Sequence, residues 1–208
     1  SFSDPTVCDV GTIRHFPVHD EAGSPAFNDQ IAWVVDAIRR DPLSRRHVVT
    51  AWAPGNAQTS TLPPCHCLFV FNVQADGAGR LRLNLHLTQR SCDVALGVPY
   101  NIAGYALLLS LVARFTDLEA GLFAHTLVDA HIYTAKPDGS MAEFDHVPGL
   151  RTQLARRPRP LPRLAIDPAL RSLEDVAPLL QAGTEQVMGH FGLEGYDPHP
   201  AISFKVAV

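Results

Sequence analysis

The chain has 208 residues, of which 46% are apolar and 18% are charged, with a formal net charge of −4 at pH 7. This balance is typical of a folded globular protein and excludes a disordered one. The small negative charge argues against nucleic-acid binding, although a few arginines could still hold a small anion. Four cysteines are too few for a disulfide scaffold of this length, which favours a reducing cytoplasm. The longest apolar run, residues 105–113, is too short to cross a bilayer, so no membrane partner is expected.

The first half of the chain predicts one helix followed by strands. Residues 1–27 show no clear period and are expected to be irregular. Apolar residues at helical spacing predict a helix over residues 28–40. β-Branched and aromatic residues, and then strictly alternating leucines, predict strands at residues 47–53, 67–73 and 80–87. Antiparallel pairing is expected for these strands.

The second half of the chain is centred on an apolar segment. Residues 101–115 are apolar nearly all round, which predicts a buried helix. The proline-rich residues 156–164 are expected to be extended, because proline lacks the N–H that a helix or an inner strand needs. Residues 173–191 are expected to be helical with a break near Ala182 and Gly183. The fold class predicted for residues 1–208 is therefore a single α+β domain, mostly antiparallel sheet packed around a central buried helix.

The stretch LPPCHC, residues 62–67, is unusual in its density of cysteine, histidine and proline. Zinc needs about four ligands, and adjacent strand residues point to opposite faces, so a metal site is disfavoured. A disulfide between Cys65 and Cys67 would be strained. Two interpretations of Cys65 remain: a small buried apolar residue, or a nucleophile on a loop stiffened by Pro63 and Pro64. A nucleophilic thiolate needs positive charge nearby.

Positive charge occurs in two compact places. Arg45 and Arg46 follow the end of the first predicted helix, and Arg90 precedes Ser91 in the stretch QRSCD. An arginine fork combined with a hydroxyl is well suited to binding phosphate. Arginine pairs also commonly occupy solvated surface, so these residues alone do not define a site.

Six stretches carry a resemblance to a known family: DPLSRRHVVTAW, LPPCHC, QRSCDVALGVPYNIAGYALL, HTLVDAHIY, RRPRPLPRL and EGYDPHPAISFKVAV. In this order they resemble the thymidylate synthase family, from about Asn28 to Val208. The resemblance implies the family's fold and its homodimer. It also implies one-carbon transfer from 5,10-methylenetetrahydrofolate to C5 of a pyrimidine nucleoside monophosphate.

The resemblance also implies a role for individual residues. Cys65 matches the nucleophile that adds to pyrimidine C6, with His66 in support. Gln89 matches a residue beside the nucleophile and the base. Asp93 matches the catalytic carboxylate that engages the folate and the base network, and Val208 matches the mobile C-terminus that closes over the folate. The remaining matches are to the groups that bind the nucleotide: Arg90 and Ser91 for the phosphate, Arg45 and Arg46 for the phosphate of the other subunit, Asn101 for the base, and His131 and Tyr133 for the sugar.

Departures from the family pattern leave the reaction open. The family's usual N-terminal segment, with its arginine loop and glutamate, has no match in this chain. Val128 replaces a usual glycine, Thr134, Ala135 and Lys136 replace an Asn-His pair, and residues 137–149 are longer than usual. These changes favour hydroxymethylation of CMP, dCMP or dUMP in a specialised pathway. The retained nucleotide-binding set favours methylation of dUMP to dTMP, and the unmatched segment leaves a non-catalytic nucleotide-binding homologue as a third alternative.

Asn101 bears on the choice of base. An amide can donate to O4 of uracil and accept from its N3–H, whereas cytosine presents the inverse pattern. This favours uracil, although an amide that is free to turn would serve either base.

Overall fold

The computed structural model describes residues 16–19, 22–57 and 62–206. The chain divides into two compact units. The first comprises residues 1–92 and 100–130, and the second comprises residues 93–99 and 131–208. The α+β class is confirmed, while the expectation of a single domain stays a prediction.

The described part of the first unit begins with a hairpin. β1 (Phe16–His19) pairs antiparallel with β2 (Pro25–Asn28), so the expectation of irregular structure is wrong for this stretch. Strands of four residues with prolines are too short to show a period. The predicted first helix is confirmed as α1 (Gln30–Arg40). It begins where the Asp29 carboxylate accepts hydrogen bonds from the first N–H groups of the helix.

A four-stranded sheet forms the body of the first unit. Its strands, in spatial order, are β3 (Val48–Thr50), β4 (His66–Ala75), β5 (Leu81–Gln89) and β6 (Glu119–Leu127). The first three are antiparallel, as predicted, but β6 runs parallel to β5. Parallel neighbours need a crossover connection, which the helix between β5 and β6 supplies. β6 was not predicted, because it is rich in alanine and glycine and poor in β-branched residues.

That crossover helix, α2 (Gly97–Phe115), begins earlier than the predicted residue 101. It buries one stripe that includes Tyr105, Leu109 and Val112, while Tyr100 and Ile102 are exposed. The expectation of a helix buried all round is therefore too strong for this chain. By length and composition α2 could cross a membrane, a test that the core helices of globular proteins also pass.

The core of the first unit follows the alternation seen in the sequence. Leu83, Leu85 and Leu87 of β5 are buried together with Phe69 and Phe71 of β4. Tyr105 of α2 then covers this surface, with its ring 5.3 Å from Phe69 and 6.3 Å from Phe123 of β6. Burial of every second residue is the pattern expected of a sheet with one covered face.

β6 approaches β5 most closely at Gly121. A Cβ at this position would lie 2.2 Å from Oδ1 of Asn84, an atom that accepts the N–H of Leu122 at 2.7 Å. The pairing register of the two strands shifts here, between Leu83 and Leu85. Beyond this shift His125 is paired with Leu87, which brings it close to the end of β5.

The second unit contains the helix α3 (Val147–Leu154) and a two-stranded antiparallel sheet. β7 (Arg163–Ile166) pairs antiparallel with β8 (Phe191–Glu194), which was not predicted. The predicted helix over residues 173–191 is replaced by three short helical turns: Leu173–Val176, Ala177–Gln181 and Thr184–Met188. Pro178 and Gly183 divide the segment, because neither favours a continuous helix.

Candidate active site

Cys65 lies on the loop that leads into β4, and Arg90 holds this loop. The Arg90 side chain donates to the carbonyl of Pro64 at 2.9 Å and to that of Pro63 at 2.5 Å. The backbone N–H of Arg90 donates to the carbonyl of Cys65 at 2.8 Å. Three hydrogen bonds thus fix a loop that the two prolines already stiffen. The guanidinium also lies 5.7 Å from the ring of Trp52, a contact that sequence reasoning missed.

The three described cysteines form no disulfide and have different surroundings. Cys65 is half-buried. Cys67 is half-buried, and its thiol donates to the carbonyl of Cys65 at 3.6 Å and so supports the loop. Cys92 is fully buried, and its burial raises the pKa of its thiol. Cys92 is therefore held as a neutral structural thiol.

A chain of amide side chains lies beside the Cys65 loop. Gln89 is 2% exposed, and its amide nitrogen donates to Oδ1 of Asn101 and to the carbonyl of Ser91, both at 2.9 Å. Its Oε1 lies 2.9 Å from Nε2 of His125. At the other end, Nδ2 of Asn101 lies 3.5 Å from Nε2 of His66. The predicted residues His66, Gln89 and Asn101 are thus brought together.

Sequence reasoning missed His125. It lies in the stretch HTLVDAHIY, but nothing in that stretch shows that β6 runs parallel to β5 and brings it to Gln89. Burial lowers the pKa of His125, and the neighbouring His66 and His86 lower it further. The imidazole is therefore expected to be neutral at pH 7.

Two further predicted phosphate ligands lie between α1 and β3. Arg45 and Arg46 are exposed, and neither guanidinium has a hydrogen bond or ion pair within the described residues. The next residue, His47, is buried and bonded through Nε2 to the carbonyl of Asp41 at 3.0 Å, which fixes the turn. Both arginines are thus presented by an ordered loop.

In the second unit, Asp93 faces a buried histidine. Its Oδ1 accepts from the N–H groups of Ala95 at 3.0 Å and Leu96 at 3.4 Å, and lies 3.5 Å from Nδ1 of His146. Its Oδ2 makes no hydrogen bond within the described residues. The other nitrogen of His146, Nε2, donates to the carbonyl of Lys205 at 2.9 Å and so fixes the C-terminal segment.

His146 is 1% exposed and was also missed by sequence reasoning. Its ring packs edge-to-face against Phe204 at 5.0 Å and Tyr133 at 5.5 Å, and Tyr133 packs against His131 at 5.1 Å. The backbone N–H of His146 donates to the carbonyl of Tyr133 at 3.0 Å. The chain therefore loops out after Tyr133 and returns with a histidine beside it, although Thr134, Ala135 and Lys136 stand directly after the tyrosine. Val208 lies outside the described residues.

Comparison with known proteins identifies the class. The family model described as thymidylate synthase matches residues 10–208, and the chain belongs to this family. A curated relative, the thymidylate synthase of Haloferax volcanii, is 42% identical over 219 aligned residues. The alignment covers 86% of this chain and 59% of the relative, so the chain spans less than two thirds of that protein's length.

Proposed function

We propose that the protein methylates C5 of dUMP to give dTMP, as a cytoplasmic thymidylate synthase. The observation that carries the proposal is that hydrogen bonds from Arg90 hold the Cys65 loop beside a hydrogen-bonded chain of His66, Asn101 and Gln89 within one unit. Family membership and the name of the Haloferax relative support it. Hydroxymethylation, which the sequence departures favoured, receives no support from these comparisons.

The residues of the first unit suit addition to a pyrimidine. The sulfur of Cys65 forms a bond to C6, the C5–C6 double bond opens, and its electron pair moves onto C5 and O4 as an enolate. An N–H of Asn101 can then stabilise the developing charge on O4. Arg90 uses Nε and Nη2 on the loop carbonyls, which leaves Nη1 available for the phosphate together with the Ser91 hydroxyl. Arg90 would thus couple phosphate binding to the position of the thiol.

The residues of the second unit fit a folate. Asp93 offers an unengaged carboxylate oxygen, Oδ2, that can accept N–H groups of a pterin, while Oδ1 is fixed by the backbone. The bound 5,10-methylenetetrahydrofolate supplies the one-carbon unit and, for a methyl product, the hydride. His146 and Phe204 hold the C-terminal segment, whose closure would exclude water. His131 and Tyr133 are proposed to bind the sugar hydroxyl.

Product analysis tests the proposal. Purified protein is incubated with methylenetetrahydrofolate and dUMP, dCMP, UMP or CMP, and the nucleotides are analysed by mass spectrometry while dihydrofolate is followed by absorbance. Methylated dUMP with one dihydrofolate per product is expected. A hydroxymethyl product without dihydrofolate would contradict methylation and establish the alternative reaction. No product from any of the four nucleotides would favour the non-catalytic homologue.

We further propose that the protein is a homodimer in which Arg45 and Arg46 serve the partner's phosphate site. Both are exposed, and neither guanidinium has a hydrogen bond or ion pair within the described residues of one chain. Mixing a Cys65→Ser chain with an Arg45→Ala/Arg46→Ala chain tests this by complementation. The mixed dimer would hold one site with both groups intact, so about a quarter of wild-type activity should return. No recovery after subunit exchange, shown by mass spectrometry, would contradict donation across the interface.

A further inference from the structure

We infer that His125 is a positioning residue: with the Ser91 carbonyl, it fixes the direction of the amide chain from Gln89 to Asn101, so that Asn101 presents an N–H to a 4-oxo pyrimidine and rejects a 4-amino one. The inference deepens the proposed function and rests on Asn101 contacting the base. It concerns which base is bound, and can therefore be tested without turnover.

The direction of the chain is set by a backbone group. A peptide carbonyl can only accept hydrogen bonds, so the Ser91 carbonyl, 2.9 Å away, requires the amino end of the Gln89 amide. The oxygen end of Gln89 must then face His125, which lies 2.9 Å away and must donate. This selects the imidazole tautomer with the proton on Nε2. Nδ1 of His125 is buried without a hydrogen-bond partner among the described residues, so a proton there would be costly.

The same direction passes on to Asn101. Gln89 donates to Oδ1 of Asn101 at 2.9 Å, which turns Nδ2 away from Gln89 and towards His66. A reversed Asn101 would place its amino group against that of Gln89, donor against donor. Oδ1 has a second lone pair, so the observed orientation can accept from N3–H of uracil while Nδ2 donates to O4. Cytosine needs the reversed amide and is therefore penalised.

His125 is the part of this chain that a side-chain substitution can test most cleanly. Phenylalanine retains an aromatic ring and removes the donor, which leaves the buried Oε1 of Gln89 without a partner and lowers the cost of turning that amide. Tryptophan has an N–H donor and no acceptor on its ring, so it can restore the direction that histidine sets. His86 on β5 provides a matched control, because its ring is hydrogen-bonded to the hydroxyl of Thr126 at 2.8 Å and not to Gln89.

The experiment measures the Kd of dUMP and of dCMP by calorimetry, without folate, for wild type, His125→Phe, His125→Trp and His86→Phe. Wild type is expected to prefer dUMP. His125→Phe should narrow the ratio of the two Kd values about tenfold, the scale of one unmade hydrogen bond to a buried group. His125→Trp and His86→Phe should retain the wild-type ratio.

The inference would be overturned if wild type bound dUMP and dCMP equally, or if folded His125→Phe kept the wild-type ratio of the two Kd values. It would also be overturned if His86→Phe narrowed that ratio as much as His125→Phe does. Nitrogen NMR of the free wild-type protein gives a second readout that needs no variant and no substrate. It should find the His125 proton on Nε2, and a proton on Nδ1 alone would overturn the inference. A protein that passes these tests but forms no methylated product would refute the proposed function and leave the inference standing.

Discussion

The amide chain of the first unit and the tail cluster of the second unit (Asp93, Tyr133, His146 and Phe204) are held in different ways. In the amide chain the central Gln89 is bonded on both sides, and one bond goes to a backbone carbonyl. In the tail cluster the side chain of His146 makes one hydrogen bond, to the C-terminal segment, and its other nitrogen, Nδ1, makes none within the described residues, although the Asp93 carboxylate lies 3.5 Å away. The other connections are ring contacts and an exposed ion pair from Lys205 to Glu143.

This difference matches what each region is proposed to do. A group that distinguishes two bases must keep one orientation, so full hydrogen bonding is an advantage. A segment that closes over a ligand must also open, and few bonds make local opening inexpensive. The exposed Lys205 to Glu143 pair adds little, since solvated ion pairs contribute about 0–1 kcal/mol. We therefore expect substitutions in the amide chain to alter base selection, and substitutions in the tail cluster to alter closure.

Removal of the proposed nucleophile should have the largest effect and leave both regions intact. Cys65→Ser is expected to lower kcat about a thousandfold or more, because the covalent route is lost. The ratio of dUMP to dCMP affinity should not change. Cys67→Ser is the matched control: a hydroxyl can donate to the Cys65 carbonyl as the thiol does, so its kcat should stay within a few-fold of wild type. Similar losses in both variants would contradict the role of Cys65.

Disruption of the amide chain at its centre should have the next largest effect. Gln89→Leu leaves the Ser91 carbonyl, Asn101 and His125 without their shared partner, and should lower the free energy of unfolding by about 1–3 kcal/mol. Gln74→Leu makes the same change at an exposed site on β4, and should stay within about 0.5 kcal/mol of wild type. Urea denaturation measures both. Equal losses of unfolding free energy in the two variants would show that the hydrogen bonds of Gln89 stabilise the fold no more than an exposed glutamine does.

The sequence predicts some residues of the candidate site and not others. Cys65, Arg90 and Asn101 belong to local motifs, and α1 and the alternating leucines of β5 follow from periodicity. His125 could not be found in this way, because its place beside Gln89 depends on a parallel pairing and on the register shift at Gly121. His146 was missed because the chain loops out after Tyr133 before it returns. Local sequence patterns therefore could not predict contacts between residues that are distant in sequence, because strand register and loop closure set those contacts.

The tail cluster can be tested by adding a single methyl group. A Cβ on Gly149 of α3 would lie 2.5 Å from the Phe204 ring and 3.0 Å from the Ile202 side chain. Gly149→Ala should therefore displace the C-terminal segment and lower the free energy of unfolding by about 1–3 kcal/mol. The rate of amide hydrogen exchange should rise at residues 202–206, while the ratio of the Kd values of dUMP and dCMP stays unchanged.

The matched control is Gly104→Ala on α2. No atom lies within 4 Å of the added Cβ there, so the substitution should be neutral or stabilise by up to about 1 kcal/mol. Unchanged exchange at residues 202–206 in Gly149→Ala would show that Phe204 does not pack against α3 in solution.

The smallest expected effect is the pH dependence contributed by His125. Its pKa in the folded protein is lowered from the ordinary 6.5, first by burial and then by His66 and His86. As pH falls through about 6.5, the unfolded chain takes up a proton that the folded chain resists, so stability is lost below that pH and is fully present above it. Wild type should therefore lose more stability than His125→Phe between about pH 7.5 and 5.5. Urea denaturation across this range measures the difference. His66 and His86 are common to both proteins, so parallel stability curves would show that His125 does not resist protonation in the folded state.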